Sequence, residues 1–130
     1  MAQHDPISDL LTRIRNARAA KHRYVDIPLS KLRVNIIKVL KEQGFIEQFL
    51  VNEEKRVARV FLKYSTGRVP VLEGLRRIST PGLRRYVGHQ DIPRILGGMG
   101  IAILSTPKGV LEGECARKMK LGGELLCTIW

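Results

Sequence analysis

The chain has 130 residues, of which 23 are Lys or Arg and 12 are Asp or Glu, so its formal net charge is +11. Its apolar fraction of 44% is enough for a packed core, which argues against a disordered basic tail. A compact fold with this much positive charge repels itself, and a bound polyanion relieves that repulsion. Nucleic acid is the first candidate. A membrane surface ranks well below it, because the basic residues are spread along the chain and form no long amphipathic segment.

Other classes of protein find little support in the sequence. No apolar run approaches the roughly 20 residues of a membrane span, and the first residues lack the basic-then-apolar order of a signal peptide, so we expect a soluble intracellular protein. Cys115 and Cys127 are isolated and predict buried, reduced thiols. His4, His22 and His89 lie far apart, with no neighbour that would make a ligand set or a catalytic base. The sequence therefore predicts no catalytic residue, no metal site and no cofactor.

The first half of the chain predicts two helices and a strand in the order α-β-α. Asp5-Pro6 can begin a helix, since Asp accepts backbone N–H bonds and Pro tolerates the first helical position. Apolar residues then recur at helical spacing. A short strand follows at residues 24–27. Ser30 can cap a second helix, which Gly44 would close.

A hairpin and a domain boundary follow. Two β-rich runs, residues 45–51 and 57–64, are joined by a charged turn and predict antiparallel strands. Turn residues then cluster at 65–68 and both periodicities lapse. We therefore predict an N-terminal α/β domain at 1–64, with the order α-β-α-β-β, and a C-terminal β-rich domain at 65–130. The fold class is α+β.

The second half is predicted to contain short strands and one short helix. Strands are expected at 74–79, 101–104 and 125–130, and a helix is expected to begin near Leu111. The glycines at 97–100 superficially resemble a phosphate-binding loop, but such loops follow a strand and begin a helix, whereas these precede an apolar strand. They predict a tight turn.

Basic residues with an interleaved aromatic are the first candidate contacts. Arg76-Arg77 and Arg84-Arg85-Tyr86 flank a turn; guanidinium groups match phosphate oxygens, and a Tyr ring can stack on an unpaired base. A solvated strand face is the alternative, and strand alternation sends adjacent arginines to opposite faces. Lys31 on the second helix fits phosphate contact and plain solubility equally well.

The segment Ser105-Thr106-Pro107-Lys108-Gly109 is the second candidate. Small hydroxyl residues can reach the shallow minor groove of an RNA helix, Lys108 could neutralise a phosphate, and Gly109 allows close backbone approach. An ordinary turn uses the same residue types. Composition leaves both readings open.

Three separated motifs decide between them by resemblance. They are IPRILGGMGIAILST at 92–106 with Lys108-Gly109 after it, GGELLC at 122–127 with Trp130, and DPI at 5–7 with LTRIRNA at 11–17. In this order they resemble the bacterial small-subunit ribosomal proteins of the S-eight family, over the whole chain. That family is non-catalytic and has an α/β N-terminal and a β-rich C-terminal domain.

The resemblance implies early binding to the central domain of small-subunit ribosomal RNA, at a helix with an irregular internal loop. It also implies contacts with ribosomal proteins S-five and S-twelve, a place in the cytoplasmic ribosome and, in many members, repression of the protein's own operon messenger RNA. Carried over by position, the implied RNA-facing residues are Ser105, Thr106, Lys108, Gly109, Tyr86, Gly122, Gly123 and Glu124, to which the basic pattern adds Arg84 and Lys31.

Two departures from the family pattern stand out. Pro107 replaces the third residue of the usual Ser-Thr-Ser loop, which removes a hydroxyl and a backbone N–H and biases Thr106 toward extended backbone. Residues 111–114 read Leu-Glu-Gly-Glu, and the glycine weakens a helix start. A nucleic-acid-processing enzyme and an architectural DNA-binding protein are the alternatives, and the first would need clustered carboxylates or a metal set.

Overall fold

The computed structural model describes residues 5–130 and shows two compact units. The N-terminal unit is Asp9–Glu73, and the C-terminal unit is Gly74–Trp130 together with residues 5–8. Compactness does not establish that a unit folds alone, so the predicted domain boundary between residues 64 and 65 stays a prediction.

The N-terminal half contains the five predicted elements in the predicted order. They are α1 Pro6–Ala19, β1 Tyr24–Pro28, α2 Lys31–Glu42, β2 Ile46–Asn52 and β3 Val57–Leu62. Two short strands that were not predicted follow, β4 Tyr64–Ser65 and β5 Val69–Pro70. Asp5 Oδ1 accepts from the backbone N–H groups of Ile7 and Ser8 at 3.1 and 3.2 Å, and Ser30 accepts from that of Arg33. Both predicted caps are confirmed. Gly44, with φ of +81°, ends α2 in the left-handed conformation that glycine tolerates.

The sheet of the N-terminal unit is antiparallel with strand order β1-β3-β2. One face packs against the helices, and its core includes Leu10, Ile14, Ile36, Leu40 and Val60, all fully buried. The other face is open and presents polar, aromatic and apolar side chains. The predicted turn at residues 65–68 joins the short strands β4 and β5.

The C-terminal unit holds a larger antiparallel sheet and a short helix. Its elements are β6 Leu75–Arg77, β7 Tyr86–Val87, β8 Ile101–Thr106, β9 Gly109–Glu112, α3 Gly113–Lys118 and β10 Gly123–Ile129. The strand order is β6-β10-β8-β9, and β7 also pairs with β10. A cluster of Ile92, Ala102, Leu104, Ala116 and Leu125 forms the core beside α3. The α+β class is confirmed.

Two expectations for this unit are wrong in part. Leu111 and Glu112 belong to strand β9, because they pair with Leu104 and Ile103 of β8, and the helix begins only at Gly113. The hairpin pairing with the preceding strand outweighs the local helical pattern. Cys127 is buried as expected, and burial raises the pKa of its thiol to about 12, but Cys115 is exposed on α3.

The glycine turn before β8 is confirmed. Gly97 and Gly98 have φ of +64° and +100°, and a Cβ on Gly100 would lie 2.7 Å from the carbonyl oxygen of Ile129. The loop therefore serves a tight backbone turn beside β10.

Candidate nucleic-acid interface

One end of the larger sheet brings together three segments that are distant in sequence. Glu124 of β10 pairs with Ser105 at the end of β8 on one side and with Tyr86 of β7 on the other. Residues directly opposite each other in an antiparallel sheet point to the same face. Tyr86, Glu124 and Ser105 therefore form one row, which we call the sheet-end row.

Two glycines allow this row to form. A Cβ on Gly123 would lie 2.1 Å from the carbonyl oxygen of Ser105, and a Cβ on Gly122 would lie 2.4 Å from that of Val87. Real side chains do not approach backbone oxygens so closely, so only glycine fits where β10 enters between β7 and β8. The structure thus gives both predicted glycines a positioning role.

Glu124 is held by neighbours on the same unit. Its Oε2 accepts a hydrogen bond from the Ser79 hydroxyl at 2.5 Å and one from Arg84 Nη1 at 3.0 Å. Ser79 Oγ in turn accepts from the backbone N–H of Arg85 at 3.1 Å. The carboxylate therefore anchors the half-exposed guanidinium of Arg84 at the sheet end, and Arg84 retains N–H donors that face solvent.

Tyr86 is the aromatic residue of the row. Its side chain is 69% exposed, and within residues 5–130 no ring or cationic group contacts it. An exposed ring fixed by strand pairing can serve as a stacking surface for an unpaired base.

The Ser105–Gly109 segment is both a hairpin turn and a candidate contact. The Thr106 hydroxyl donates to the Gly109 carbonyl at 2.8 Å and accepts from the Lys108 backbone N–H at 3.2 Å. Gly109 has φ of +112°, which explains the glycine there. Thr106 therefore stabilises the turn, and replacing it does not isolate an RNA contact. The hydroxyl of half-buried Ser105 has no hydrogen-bond partner among the described residues.

The paired arginines separate as strand alternation predicts. Arg76 is exposed, whereas Arg77 turns inward and donates to Asp5 at 3.2 Å and to the Leu126 carbonyl at 2.6 Å. Partial burial alone would raise the pKa of Asp5, but hydrogen bonds from Ser8 and Arg77 outweigh it and hold that pKa below the usual 3.8. Arg77 is thus a structural residue.

The remaining predicted contacts are spread over both units. Lys108 lies exposed in the β8–β9 turn, next to the sheet-end row. Lys31 is the exposed first residue of α2 in the N-terminal unit. Ser79, which positions Glu124, was missed by the sequence analysis; it is fully buried, and only its position before the Thr80–Leu83 turn hinted at a hydrogen-bonding role.

The rest of the described chain offers no competing chemistry. In residues 5–130 no three His, Cys, Asp or Glu side chains are grouped as metal ligands. None of the helices in that range is both long and apolar enough to cross a membrane. His4 lies outside the described residues.

Comparison with known proteins identifies the family of the chain. The family model described as "Ribosomal protein S8" matches residues 5–130. The chain belongs to the ribosomal protein S8 family. This S8 family is structural and non-enzymatic, so the prediction that the chain is not an enzyme is confirmed. The chain is a ribosomal protein.

Relatives of this S8 chain match it over nearly all of their length. "Small ribosomal subunit protein uS8" of Protochlamydia amoebophila is 54% identical, with both proteins fully covered. The protein of the same name from Solibacter usitatus is 53% identical, covering 97% of this chain and 98% of the relative. That of Chlamydia trachomatis serovar D is 55% identical over 97% of this chain and 96% of its own.

Proposed function

We propose that the chain is a component of the small ribosomal subunit that binds directly to the central domain of its RNA and helps assemble it. The observation that carries this proposal is the sheet-end row, in which Tyr86 and Ser105 converge at one edge of a strongly basic member of this family. The relatives named above carry the small subunit in their names.

In and beside the row, some residues select the RNA and others neutralise its phosphates. Ser105 offers a free hydroxyl to base edges or 2′-hydroxyls, and Tyr86 stacks on an unpaired base of an irregular loop. Lys108 and Arg84 neutralise phosphates on either side. Gly122, Gly123 and Glu124 set the geometry of the row. The Thr106 and Gly109 turn fixes Lys108 relative to Ser105. RNA specificity accordingly resides in the C-terminal domain at 65–130.

Lys31 extends the electrostatic contact to the N-terminal domain at 1–64. It is a phosphate partner without sequence preference. In the cytoplasmic ribosome the chain contacts ribosomal proteins S-five and S-twelve. The same RNA-binding residues repress the protein's own operon through a messenger segment that mimics the ribosomal site.

A binding experiment with Tyr86 tests the proposal. Tyr86→Leu keeps an apolar side chain on an exposed strand position, so the fold should persist while base stacking is lost. Stacking is worth about 1 to 3 kcal/mol per base, which predicts a loss of roughly 5- to 150-fold in affinity for a central-domain RNA helix with its internal loop. Affinity for an unrelated duplex of equal length should hardly change.

Tyr24→Leu is the matched control. Tyr24 is also an exposed strand tyrosine, but it lies on the N-terminal unit, and the Arg59 guanidinium already lies over its ring. This variant should bind the cognate RNA as the unmodified chain does. Equal affinity of all three proteins for the cognate helix would show that the sheet-end row does not read RNA.

A further inference from the structure

The open face of the three-stranded sheet carries a second, chemically different surface. Two cross-strand rows lie there: Tyr24 opposite Phe61, and Asp26 opposite Arg59, which is opposite Leu50. We call these five residues the sheet-face patch. Leu50 is 57% exposed at its edge, which is unusual for a large aliphatic side chain in a regular strand.

The Tyr24 ring of this patch is already partly covered. The Arg59 guanidinium lies 4.0 Å from the ring centroid of Tyr24 and therefore covers one face of the ring. Asp26 holds Arg59 in place through two hydrogen bonds, at 2.8 and 3.1 Å. Those bonds keep the pKa of the Asp26 carboxyl below its usual value, so the carboxylate stays charged. The cation is already paired, and a phosphate would meet Asp26 beside it.

The groove next to Leu50 differs in charge from the rest of the chain. Its charged lining consists of Asp26, Glu53 and Glu54 against Lys55 and Arg59, three acids and two bases. The full chain has 23 bases and 12 acids. A groove that is net negative on a protein of +11 repels RNA and attracts a cationic partner.

We propose that the sheet-face patch docks a segment of a second protein in which Lys or Arg stands beside an aliphatic side chain. The aliphatic side chain covers Leu50, and the cation pairs with Glu53 and Glu54, which lie exposed in the β2–β3 turn. The locked Tyr24, Arg59 and Asp26 form a rigid floor, so little side-chain freedom is lost on docking. This inference rests on the proposed function in one respect: the partner is met within the small subunit.

Photo-crosslinking tests the docking in the assembled particle. A benzoylphenylalanine at position 50 of the full chain is assembled into small subunits, irradiated, and its adducts are identified by mass spectrometry. We expect adducts with a protein peptide that contains Lys or Arg. Adducts only with RNA, or only with a second copy of this chain, would overturn the inference. Failure of the chain to enter the subunit would instead overturn the proposed function.

A charge reversal sharpens the test with a matched control. Glu53→Lys with Glu54→Lys should lower the yield of the protein adduct at least fivefold. Glu42→Lys with Glu47→Lys makes the same change of charge at exposed positions of α2 and β2 that do not line the groove, and should leave the yield unchanged. Equal yields from the two double variants would contradict the charge complementarity.

The isolated full chain allows an independent decision. A short peptide of alternating Lys and Leu is titrated against it, and amide chemical shifts are recorded by NMR. Shifts should concentrate at Leu50, Val51 and the β2–β3 turn despite the net positive charge of the protein, and a Glu-Leu peptide of equal length should not shift those residues. Absence of shifts there with the Lys-Leu peptide would overturn the inference even if the chain assembles normally.

Discussion

The two sheets present similar residues and use them differently. Each brings together a tyrosine, an arginine and a carboxylate: Tyr24, Arg59 and Asp26 in the N-terminal unit, and Tyr86, Arg84 and Glu124 in the C-terminal unit. In the first set Arg59 covers the tyrosine ring and pairs with the carboxylate. In the second set the carboxylate is shared between Ser79 and Arg84, and the ring of Tyr86 stays open.

Composition alone therefore does not distinguish the proposed RNA surface from the proposed protein surface. The position of the carboxylate does. Asp26 lies opposite Arg59 on the neighbouring strand, so the pair closes over Tyr24. Glu124 lies directly between Tyr86 and Ser105 and draws Arg84 toward the sheet end. Both arginines are paired with a carboxylate, but the same three residue types leave the tyrosine ring covered in one unit and open in the other.

The largest effect is expected from Gly123, which creates the sheet-end row. Gly123→Ala would place a Cβ 2.1 Å from the Ser105 carbonyl oxygen, so β8 and β10 must separate. We expect a loss of about 3 kcal/mol in the free energy of unfolding and loss of specific RNA binding. Gly88→Ala is the control, since its Cβ would meet only Asp91 at 3.8 Å. Urea unfolding should give a clearly lower free energy of unfolding for Gly123→Ala than for Gly88→Ala.

Two carboxylate–arginine pairs, Asp5 with Arg77 and Asp26 with Arg59, should differ in their effect on stability. Asp5→Asn leaves the largely buried Arg77 without its charge partner and should cost about 2 kcal/mol, whereas Asp26→Asn breaks a pair that is 44% exposed on each side and should cost under about 1 kcal/mol. Asn retains the ability to cap α1, so the difference isolates the charge.

The pH dependence of unfolding tests the stabilising effect of the Asp5–Arg77 pair. The pKa of Asp5 is lower in the folded protein than its usual 3.8, so its contribution is fully present above that value and is lost as the pH falls through the folded pKa. The Asp5→Asn variant should therefore show a smaller loss of stability between about pH 5 and pH 2 than the unmodified chain. If the free energy of unfolding fell equally with pH in the two proteins, the Asp5–Arg77 pair would not stabilise the fold.

A smaller effect, confined to binding, is expected at Ser105. Ser105→Ala removes a hydroxyl with no partner among residues 5–130, so the free energy of unfolding should stay within about 0.5 kcal/mol. If RNA pairs with this hydroxyl, cognate binding should weaken by about 1 to 2 kcal/mol. Thr106→Ser serves as the control, because serine keeps the hydroxyl that bonds Gly109 and Lys108. Unchanged cognate affinity in folded Ser105→Ala protein would remove this residue from the interface.

Local signals in the sequence predicted much of this molecule. The Asp5 and Ser30 caps, the end of α2 at Gly44 and the hairpin of β2 and β3 each depend on residues close together in the chain, so spacing and residue type were sufficient. The sheet-end residues were located by resemblance to a family, which does not by itself say how they act.

Most of the missing parts are contacts between distant residues. Strand β9 is the exception, because it pairs with β8 across the adjacent turn, whereas the residue pattern at Leu111 favoured a helix. Asp5 and Arg77 are 72 residues apart, and Ser79 and Glu124 are 45 apart. No periodicity reports such pairs. The role of Gly123 as a spacer likewise emerges only from a distance across strands, whereas the hydrogen bonds of Thr106 are local to its turn.

The smallest effect is expected at Lys108, and it tests whether the sheet end separates charge from selection. Lys108 lies exposed beside the Thr106 turn, so Lys108→Ala should leave the fold intact and remove about one phosphate contact. The slope of log affinity against log salt should then fall by about 0.7 to 0.9, equally for cognate and non-cognate RNA. Lys55→Ala removes an exposed lysine from the groove of the sheet-face patch and should leave the slope unchanged, because that groove repels phosphate. If Lys108→Ala instead weakened only cognate binding, the lysine would read a base edge, and the division into a selecting row and a neutralising turn would be wrong. If Lys55→Ala lowered the slope as much, RNA would reach the sheet-face patch, and the two sheets would not differ as their carboxylates indicate.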